Sequence, residues 1–307
     1  MALTVFHPGG IRPSVWTRKH IQGRGALLLA GLLILLAAGC MPASQAEARP
    51  LRPAERVGQI PAPAGYNRVD YPQDGFASFL RSLTLLESST VYLYNGLPKR
   101  NQSAHFGIVD LSVGKRDLQQ CADALIRLRA EFFYRAGRKE EIRFHFTSGD
   151  LSSYSSWSRG MRPVIQGNRV RFLKKAAPAD TPDIFWNYLE NLFTYAGTIS
   201  LKRDSEPVPS GESPRIGDFF LQSGSPGHAV MILDHARSPG GLDLYLLGQS
   251  YMPAQQFHVL RNPYMEGAKV PGFEKSGAVW YALNPSGRLE TPEWSFPANS
   301  LRRWNGG

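Results

Sequence analysis

Three short apolar runs in the second half of the chain place the strongest restriction on its fold. They span residues 216–222, 229–234 and 242–249, and two segments rich in turn-forming residues, 223–227 and 235–241, separate them. Runs of this length joined by turns are typical of consecutive strands that pair with their neighbours. The pattern therefore predicts an antiparallel meander.

Two segments that precede the meander have the periodicity of amphipathic helices. The first follows Asp117, which with Gln120 predicts a capping box, and it ends near Gly137. The second begins at Pro182 and ends near Gly197. Because helices come first and strands later, we expect an α+β domain in which helices pack on an antiparallel sheet.

The first 39 residues are expected to be an export signal. Four basic residues precede an uncharged run, 26–38, which is too short to span a bilayer, and small residues then precede Cys40. This order resembles the lipobox of bacterial lipoproteins, in which the chain is cut just before a cysteine that is then acylated. The resemblance makes Cys40 the lipidation site, although a plain signal peptide or an uncleaved anchor stays open. Met41 stands in place of the aspartate that resembles an inner-membrane retention signal, which favours the periplasmic face of the outer membrane.

The composition after Cys40 predicts the remaining domain organisation. Residues 40–65 are rich in proline and alanine, which is typical of an extended tether. We expect a single α+β domain over 66–296 and a basic C-terminal tail over 297–307.

The charge balance suggests partners in the cell envelope. Removal of the signal leaves 31 of the 35 basic residues against 25 acidic ones, and this mild excess suits an anionic surface. We therefore expect the membrane as a partner through the lipid anchor, with peptidoglycan or an envelope protein as a further partner. Nucleic acid is not expected, since no basic stripe is interleaved with aromatic residues.

Cys121 is the first candidate for chemistry. If Cys40 is acylated, Cys121 is the remaining thiol of the chain, so no internal disulfide can form. Its predicted place in the first turn of a helix favours the thiolate, because the positive end of the helix dipole lies there. A lone cysteine on the apolar face of a helix is also commonly a small buried hydrophobe.

His228 is the second candidate, because it stands where a turn-rich segment changes into an apolar strand. If Asp234 faces Leu242 across the next turn, His228 lies opposite Gly248 and beside Gln249. Gln249 could then orient the imidazole ring.

Two stretches add a family resemblance. Ile-Gly-Asp-Phe-Phe at 216–220 and Gly-His-Ala-Val-Met-Ile-Leu-Asp at 227–234 resemble strands of papain-like cell-wall hydrolases, including the CHAP amidases and related endopeptidases. The resemblance implies a decorated papain-like fold with Cys121 as nucleophile, His228 as base and then acid, and Gln249 as the orienting residue. Asp234 or Ser250 could replace Gln249 in that role. The long interval between Cys121 and His228 departs from the family pattern.

From about residue 66 to 280 the chain is similar to exported bacterial proteins classed as a domain of unknown function (4846). This resemblance implies no activity. It rests on QCAD (120–123) with RLRAE (127–131), YAGTISL (195–201), GDFF (217–220) with GHAV (227–230), and QSYMPAQ (249–255).

Two functional hypotheses follow from these observations. The first is a membrane-tethered thiol amidase or peptidase that acts on an envelope amide or wall peptide, with transglutaminase-like acyl transfer as a variant. The second is a non-catalytic lipoprotein that binds a wall component or partner protein. Its binding surface would be the rim around His228 and a serine-rich segment, 148–160, predicted to be an exposed loop that presents Trp157, Arg159 and Arg162.

Other histidines contribute less to the predicted site. His105, with Asp110 as its partner, is a reserve candidate for a catalytic role. No histidine stands at a metal-ligand spacing from cysteines or acids, so neither a metal nor another cofactor is expected.

Overall fold

The structure, a computed structural model, describes residues 54–167, 169–264 and 279–306. The predicted signal peptide, the lipidation site Cys40 and the first part of the predicted tether lie outside these residues. Among the helices that the structure describes, none has the length and apolar character needed to cross a bilayer.

Five α-helices and sixteen strands make up the described part of the chain. The helices are α1 (Phe76–Arg81), α2 (Cys121–Arg135), α3 (Tyr154–Ser158), α4 (Pro182–Tyr195) and α5 (Thr198–Arg203), with 3-10 turns at Val57–Gln59, Gln102–Ala104 and Lys139–Glu141. The strands are β1 (Asn67–Arg68), β2 (Leu85–Leu86), β3 (His105–Val109), β4 (Arg143–His145), β5 (Leu151–Ser153), β6 (Met161–Gln166), β7 (Arg169–Lys174), β8 (Ser205–Pro207), β9 (Phe219–Gln222), β10 (His228–Arg237), β11 (Asp243–Gln249), β12 (His258–Leu260), β13 (Trp280–Tyr281), β14 (Leu289–Glu290), β15 (Ser295–Phe296) and β16 (Leu301–Trp304).

One large antiparallel sheet organises the molecule. Its main path runs β2-β3-β12-β11-β10-β9-β16-β8, while β1 pairs with β10 and β13 pairs with β11. The predicted meander is present as β9, β10 and β11. The predicted α+β class, an antiparallel sheet packed by helices, is confirmed.

Strand β10 is apolar along most of its length because both of its faces are covered. Ala229, Met231 and Leu233 belong to the larger core, which includes the apolar residues of α2 and α4. Val230 and Ile232 point the other way, into a second core that contains aromatic residues of β9, β11 and β15. Burial of each of these side chains except that of Ala229 stabilises the fold by about 1.5–3 kcal/mol.

The predicted register of the β10–β11 hairpin is wrong. Met231, rather than His228, lies opposite Gly248, and the register shifts between Ile232 and Asp234. Strand β10 also extends further towards the turn than predicted, as far as Arg237, whose side chain pairs with Asp243 at the start of β11. His228 lies opposite Gln222 of β9 instead.

The domain boundaries at both ends differ from those predicted. Val57 and Ile60, assigned to the tether, are fully buried, so the folded part begins before residue 66. The predicted C-terminal tail contains β16, which pairs with β9 and β8. Arg303 of β16 also binds the buried carboxylate of Asp218 at 2.9 Å. The basic residues of this segment are therefore part of the sheet.

Candidate functional site

Cys121 is the first residue of α2. Gln120 is the N-cap, and its backbone N–H donates to the Asp123 carboxylate at 3.2 Å. The predicted capping box of Asp117 and Gln120 is therefore wrong, because the helix begins later than expected. The Asp117 carboxylate accepts a hydrogen bond from the Ala254 N–H at 2.7 Å, which ties the start of α2 to the segment after β11.

The Cys121 side chain lies at the wall of a groove. The groove has a volume of about 250 Å³, and its lining includes the start of α2, Gly197 and Thr198 at the start of α5, and Gly227. Cys121 is 5% exposed. Cys121 thus borders the groove with little exposed surface, at the positive end of α2.

Burial determines the protonation of this thiol. It raises the pKa of Cys121 to about 12, and the nearby Asp123 carboxylate also raises it. The backbone N–H groups of Ala229, Ala122 and Cys121 favour the thiolate, but they do not compensate for lost solvation. The expectation that the helix start favours a thiolate is therefore wrong for the structure without a ligand.

His228 is the first residue of β10 and has no exposed surface. Its Nε2 lies 2.7 Å from Gln249 Oε1. The ring also lies among aromatic side chains, with centroids 4.8 Å from Tyr251, 5.0 Å from Trp294 and 5.7 Å from Phe296. Burial lowers the pKa of His228 to about 4, so the imidazole is neutral at pH 7.

The structure places Gln249 in direct contact with His228, and Cys121 near the backbone that follows His228. The backbone N–H of Ala229, the residue after His228, lowers the pKa of Cys121 and so offsets part of the effect of burial. Tyr251 packs on the His228 ring, and its pKa is raised by burial first and then by Glu293 and Cys121. Among the described residues no hydrogen bond joins thiol and imidazole, and His228 Nδ1 has no partner. The sulfur and the imidazole therefore stand without a direct hydrogen bond, and one ring nitrogen has no partner among the described residues.

A second layer of polar groups surrounds Gln249, and sequence reasoning missed it. The Gln249 Nε2 donates to Glu293 Oε2 at 2.9 Å, and the Lys99 Nζ donates to the same oxygen at 2.5 Å. Lys99 and Glu293 lie 194 positions apart in the chain, and no local pattern connects them.

The backbone at Gly227 approaches its neighbours too closely for any side chain. A Cβ at this position would lie 2.5 Å from the Gly224 carbonyl oxygen and 2.5 Å from Thr198 Oγ1. Such contacts are far inside van der Waals distance. Gly227 therefore fixes where β10, and with it His228, begins.

The remaining catalytic candidates have structural contacts. Asp234 lies towards the other end of β10, where Arg68 and Arg81 bind its two carboxylate oxygens at 2.8 and 2.6 Å. Ser250 is buried, and its Oγ donates to the Gln255 carbonyl at 2.8 Å. Neither residue takes the place of Gln249 beside His228.

The reserve pair is not assembled. The His105 Nε2 lies 2.9 Å from the Ser89 carbonyl oxygen. Asp110 follows the opposite end of β3 and is exposed. The two residues are thus separated by the length of the strand.

The predicted exposed loop around Trp157 is wrong. This segment contains β5 and α3, and Trp157 is buried against Tyr188, with ring centroids 5.9 Å apart. The Arg162 guanidinium lies over the Trp157 ring at 3.8 Å, while Arg159 is exposed. Trp157 is thus part of the core and is not presented for binding.

The described residues contain no group of three or more histidine, cysteine, aspartate or glutamate side chains placed to hold a metal ion. The chain forms an α+β domain in which a buried thiol borders a groove and a buried imidazole contacts an amide side chain.

The chain belongs to the family described as "Domain of unknown function (4846)", whose model matches residues 57–303. No curated protein and no solved structure matches the chain.

Proposed function

We propose that the protein is an exported, lipid-anchored cysteine hydrolase, an amidase or peptidase that acts on an amide or wall peptide of the cell envelope. One observation carries the proposal. Cys121 begins a helix at the wall of a groove, and the backbone N–H of the residue after His228 acts on its thiol. The His228 ring has its Nε2 held by Gln249 and its Nδ1 without a partner among the described residues. This is the order and type of groups that a nucleophile, a base and an orienting residue require.

The protonation states suggest how the reaction starts. Thiol and imidazole are both neutral at pH 7, because burial acts on each of them. The sulfur therefore attacks the carbonyl carbon of the substrate as its proton passes to His228 Nδ1. This transfer requires the sulfur and Nδ1 to come within hydrogen-bond reach when substrate enters the groove.

The later steps use the same groups. The imidazolium donates its proton to the leaving amine nitrogen as the C–N bond breaks, which leaves a thioester on Cys121. Water then attacks the thioester with His228 as base, and the carboxylic acid product leaves while the thiol is restored. The backbone N–H of Cys121 at the helix start is the proposed donor to the oxyanion.

The second candidate function is a non-catalytic envelope lipoprotein. Burial is the observation that favours it, since His228 has no exposed surface and Cys121 has only 5%. The buried position of Trp157 removes one of the two binding surfaces expected for this function. The rim around His228 remains as its proposed binding surface.

Alkylation of Cys121 separates the two functions. The tryptic peptide of residues 117–127 contains Cys121 as its one thiol, so its modification by iodoacetamide can be followed by mass spectrometry in the full chain. For a hydrolase we expect His228→Gln to slow alkylation by at least about tenfold, since general-base assistance contributes about 10²–10⁴-fold. His105→Gln, a change at another buried histidine, is the control and should leave the rate unchanged.

The outcome that contradicts the hydrolase is slow alkylation that neither substitution changes. A direct assay completes the test: the wild-type chain should release amines from peptidoglycan fragments or other envelope amides, and Cys121→Ser should not. The proposed anchor is tested separately by metabolic labelling with palmitate, which should label the wild-type chain but not Cys40→Ser.

A further inference from the structure

The hydrogen bonds around His228 continue into a buried chain that ends at a cation. His228 Nε2 contacts Gln249 Oε1, the Gln249 Nε2 donates to Glu293, and the Lys99 ammonium donates to Glu293. Lys99 is 5% exposed, and the Glu293 side chain is 11% exposed. Four side chains from distant parts of the sequence thus form one connected series.

The direction of each hydrogen bond in this series follows from the group at its far end. An ionised carboxylate only accepts hydrogen bonds, so Gln249 must turn its NH₂ group towards Glu293. Its carbonyl oxygen then faces His228 and can only accept, so Nε2 must carry the imidazole proton. In a neutral ring this leaves a lone pair on Nδ1, the atom for which the described part of the chain supplies no partner.

Lys99 keeps this direction fixed. Its ammonium group lies 2.5 Å from Glu293 Oε2 and donates a hydrogen bond to it. Its second neighbour, His258 Nε2 at 3.4 Å, can accept a hydrogen bond from it, since His258 Nδ1 contacts the Gln256 carbonyl oxygen at 2.9 Å. All polar contacts of the ammonium therefore agree with a donor at Lys99 and an acceptor at Glu293.

We propose that Glu293 and Lys99 are positioning residues, which through Gln249 hold His228 as the neutral Nε2–H tautomer with the Nδ1 lone pair free for the thiol proton. The catalytic meaning of this inference rests on the proposed hydrolase. The tautomer itself can be measured without any substrate.

The first experiment is ¹⁵N NMR of the histidine rings of the protein. The His228 signal is assigned by its loss in His228→Gln. We expect a single tautomer in the wild type, protonated at Nε2, and a measurable Nδ1–H population in Glu293→Gln, because an amide at 293 can also donate and allows Gln249 to turn over. An Nδ1–H tautomer in the wild type would overturn the inference, and so would an unchanged single tautomer in Glu293→Gln.

The second experiment distinguishes a positioning role of Glu293 from a role in which Lys99 and Glu293 only neutralise each other's charge. Lys99→Met and Glu293→Gln each leave one buried group without its partner, whereas the double variant removes both charges and should regain stability. If Glu293 positions Gln249, alkylation of Cys121 stays about tenfold slower in the double variant, a loss typical of outer-shell groups that orient a histidine. Full recovery of the rate in the double variant would overturn the positioning role.

Asp218→Asn is the matched control, because it breaks another buried ion pair of the same sheet, with Arg303. It should lower stability without changing the His228 tautomer or the alkylation rate per folded molecule. If the wild-type tautomer is as expected but Cys121 is inert, the hydrolase proposal fails, and NMR of Glu293→Gln still decides the role of Glu293.

Discussion

Buried ionisable groups lie near both ends of β10, but the two groups differ in the number of their hydrogen-bond partners. Near one end, the Asp234 carboxylate contacts Arg68, Arg81 and the backbone N–H of His235 at 2.8 Å. At the other end, His228 has one partner, Gln249, and its second ring nitrogen has none among the described residues. Six residues, about 20 Å of strand, separate the two positions.

The difference teaches where to look for function. A buried charge that is fully paired is explained by the fold, since removing either partner would leave the other uncompensated. A buried polar atom without a partner is not explained in this way, and His228 Nδ1 is one of nine such side-chain atoms among the described residues. For His228 the proposed hydrolase supplies an explanation, because this nitrogen would accept the proton of the Cys121 thiol.

The largest expected effect is a loss of stability when Asp234 is substituted. Asp234→Asn should lower the free energy of unfolding by about 3 kcal/mol, because two arginines lose their shared carboxylate in a site with no solvent access on the aspartate side. Urea denaturation measures the change. Glu141→Gln, at an exposed ion pair with Arg138, is the control and should cost less than about 1 kcal/mol. A loss at Asp234 no larger than this control would remove the contrast between the two ends.

The next effect is a pH dependence at the His228 end. The pKa of His228 is about 4 in the folded chain against an ordinary value of 6.5, so the unfolded chain binds more protons between these values. Stability should therefore be lost as pH falls from about 6.5 to 4, with about 3 kcal/mol attributable to His228. Unfolding by urea across this range should show a shallower pH dependence in His228→Gln. Equal slopes in the two chains would mean that His228 is not buried in its neutral form.

The smallest effect concerns the thiol itself. Cys121→Ala should cost only about 1 kcal/mol of unfolding free energy, since it removes one atom from a site that borders a groove. Thermal unfolding checks this value. A loss above about 3 kcal/mol would identify Cys121 as a packing residue and weaken the case that it is kept for its chemistry.

The α+β class and the order of the site residues could be predicted because they depend on local patterns. The periodicity of α2 and α4 and the apolar runs of β9 to β11 are visible in any short window of sequence. The hairpin register was not predictable from those runs, because the shift between Ile232 and Asp234 leaves no compositional trace. The segment around Trp157 looked exposed because of its serines, although Ser153 caps α3 and the aromatic residues point inward.

The site residues likewise divide into those that could be predicted from sequence and those that could not. Cys121, His228 and Gln249 could be proposed from residue type and order along the chain. Glu293 and Lys99 could not, because only the folded sheet brings them to Gln249. The predicted protonation state of the thiol was wrong for a related reason. The helix dipole can be inferred from sequence, but the loss of solvent around the sulfur cannot.

For the proposed hydrolase, the close backbone approach at Gly227 has a consequence for how activity could be lost during evolution. A single added methyl group there would push the turn away from Thr198 and displace the ring that follows, while every reactive atom stayed chemically intact. A homologue with alanine at this place would keep the complete set of expected site residues and still be inert. Inspection of the site residues alone would misclassify such a chain as active.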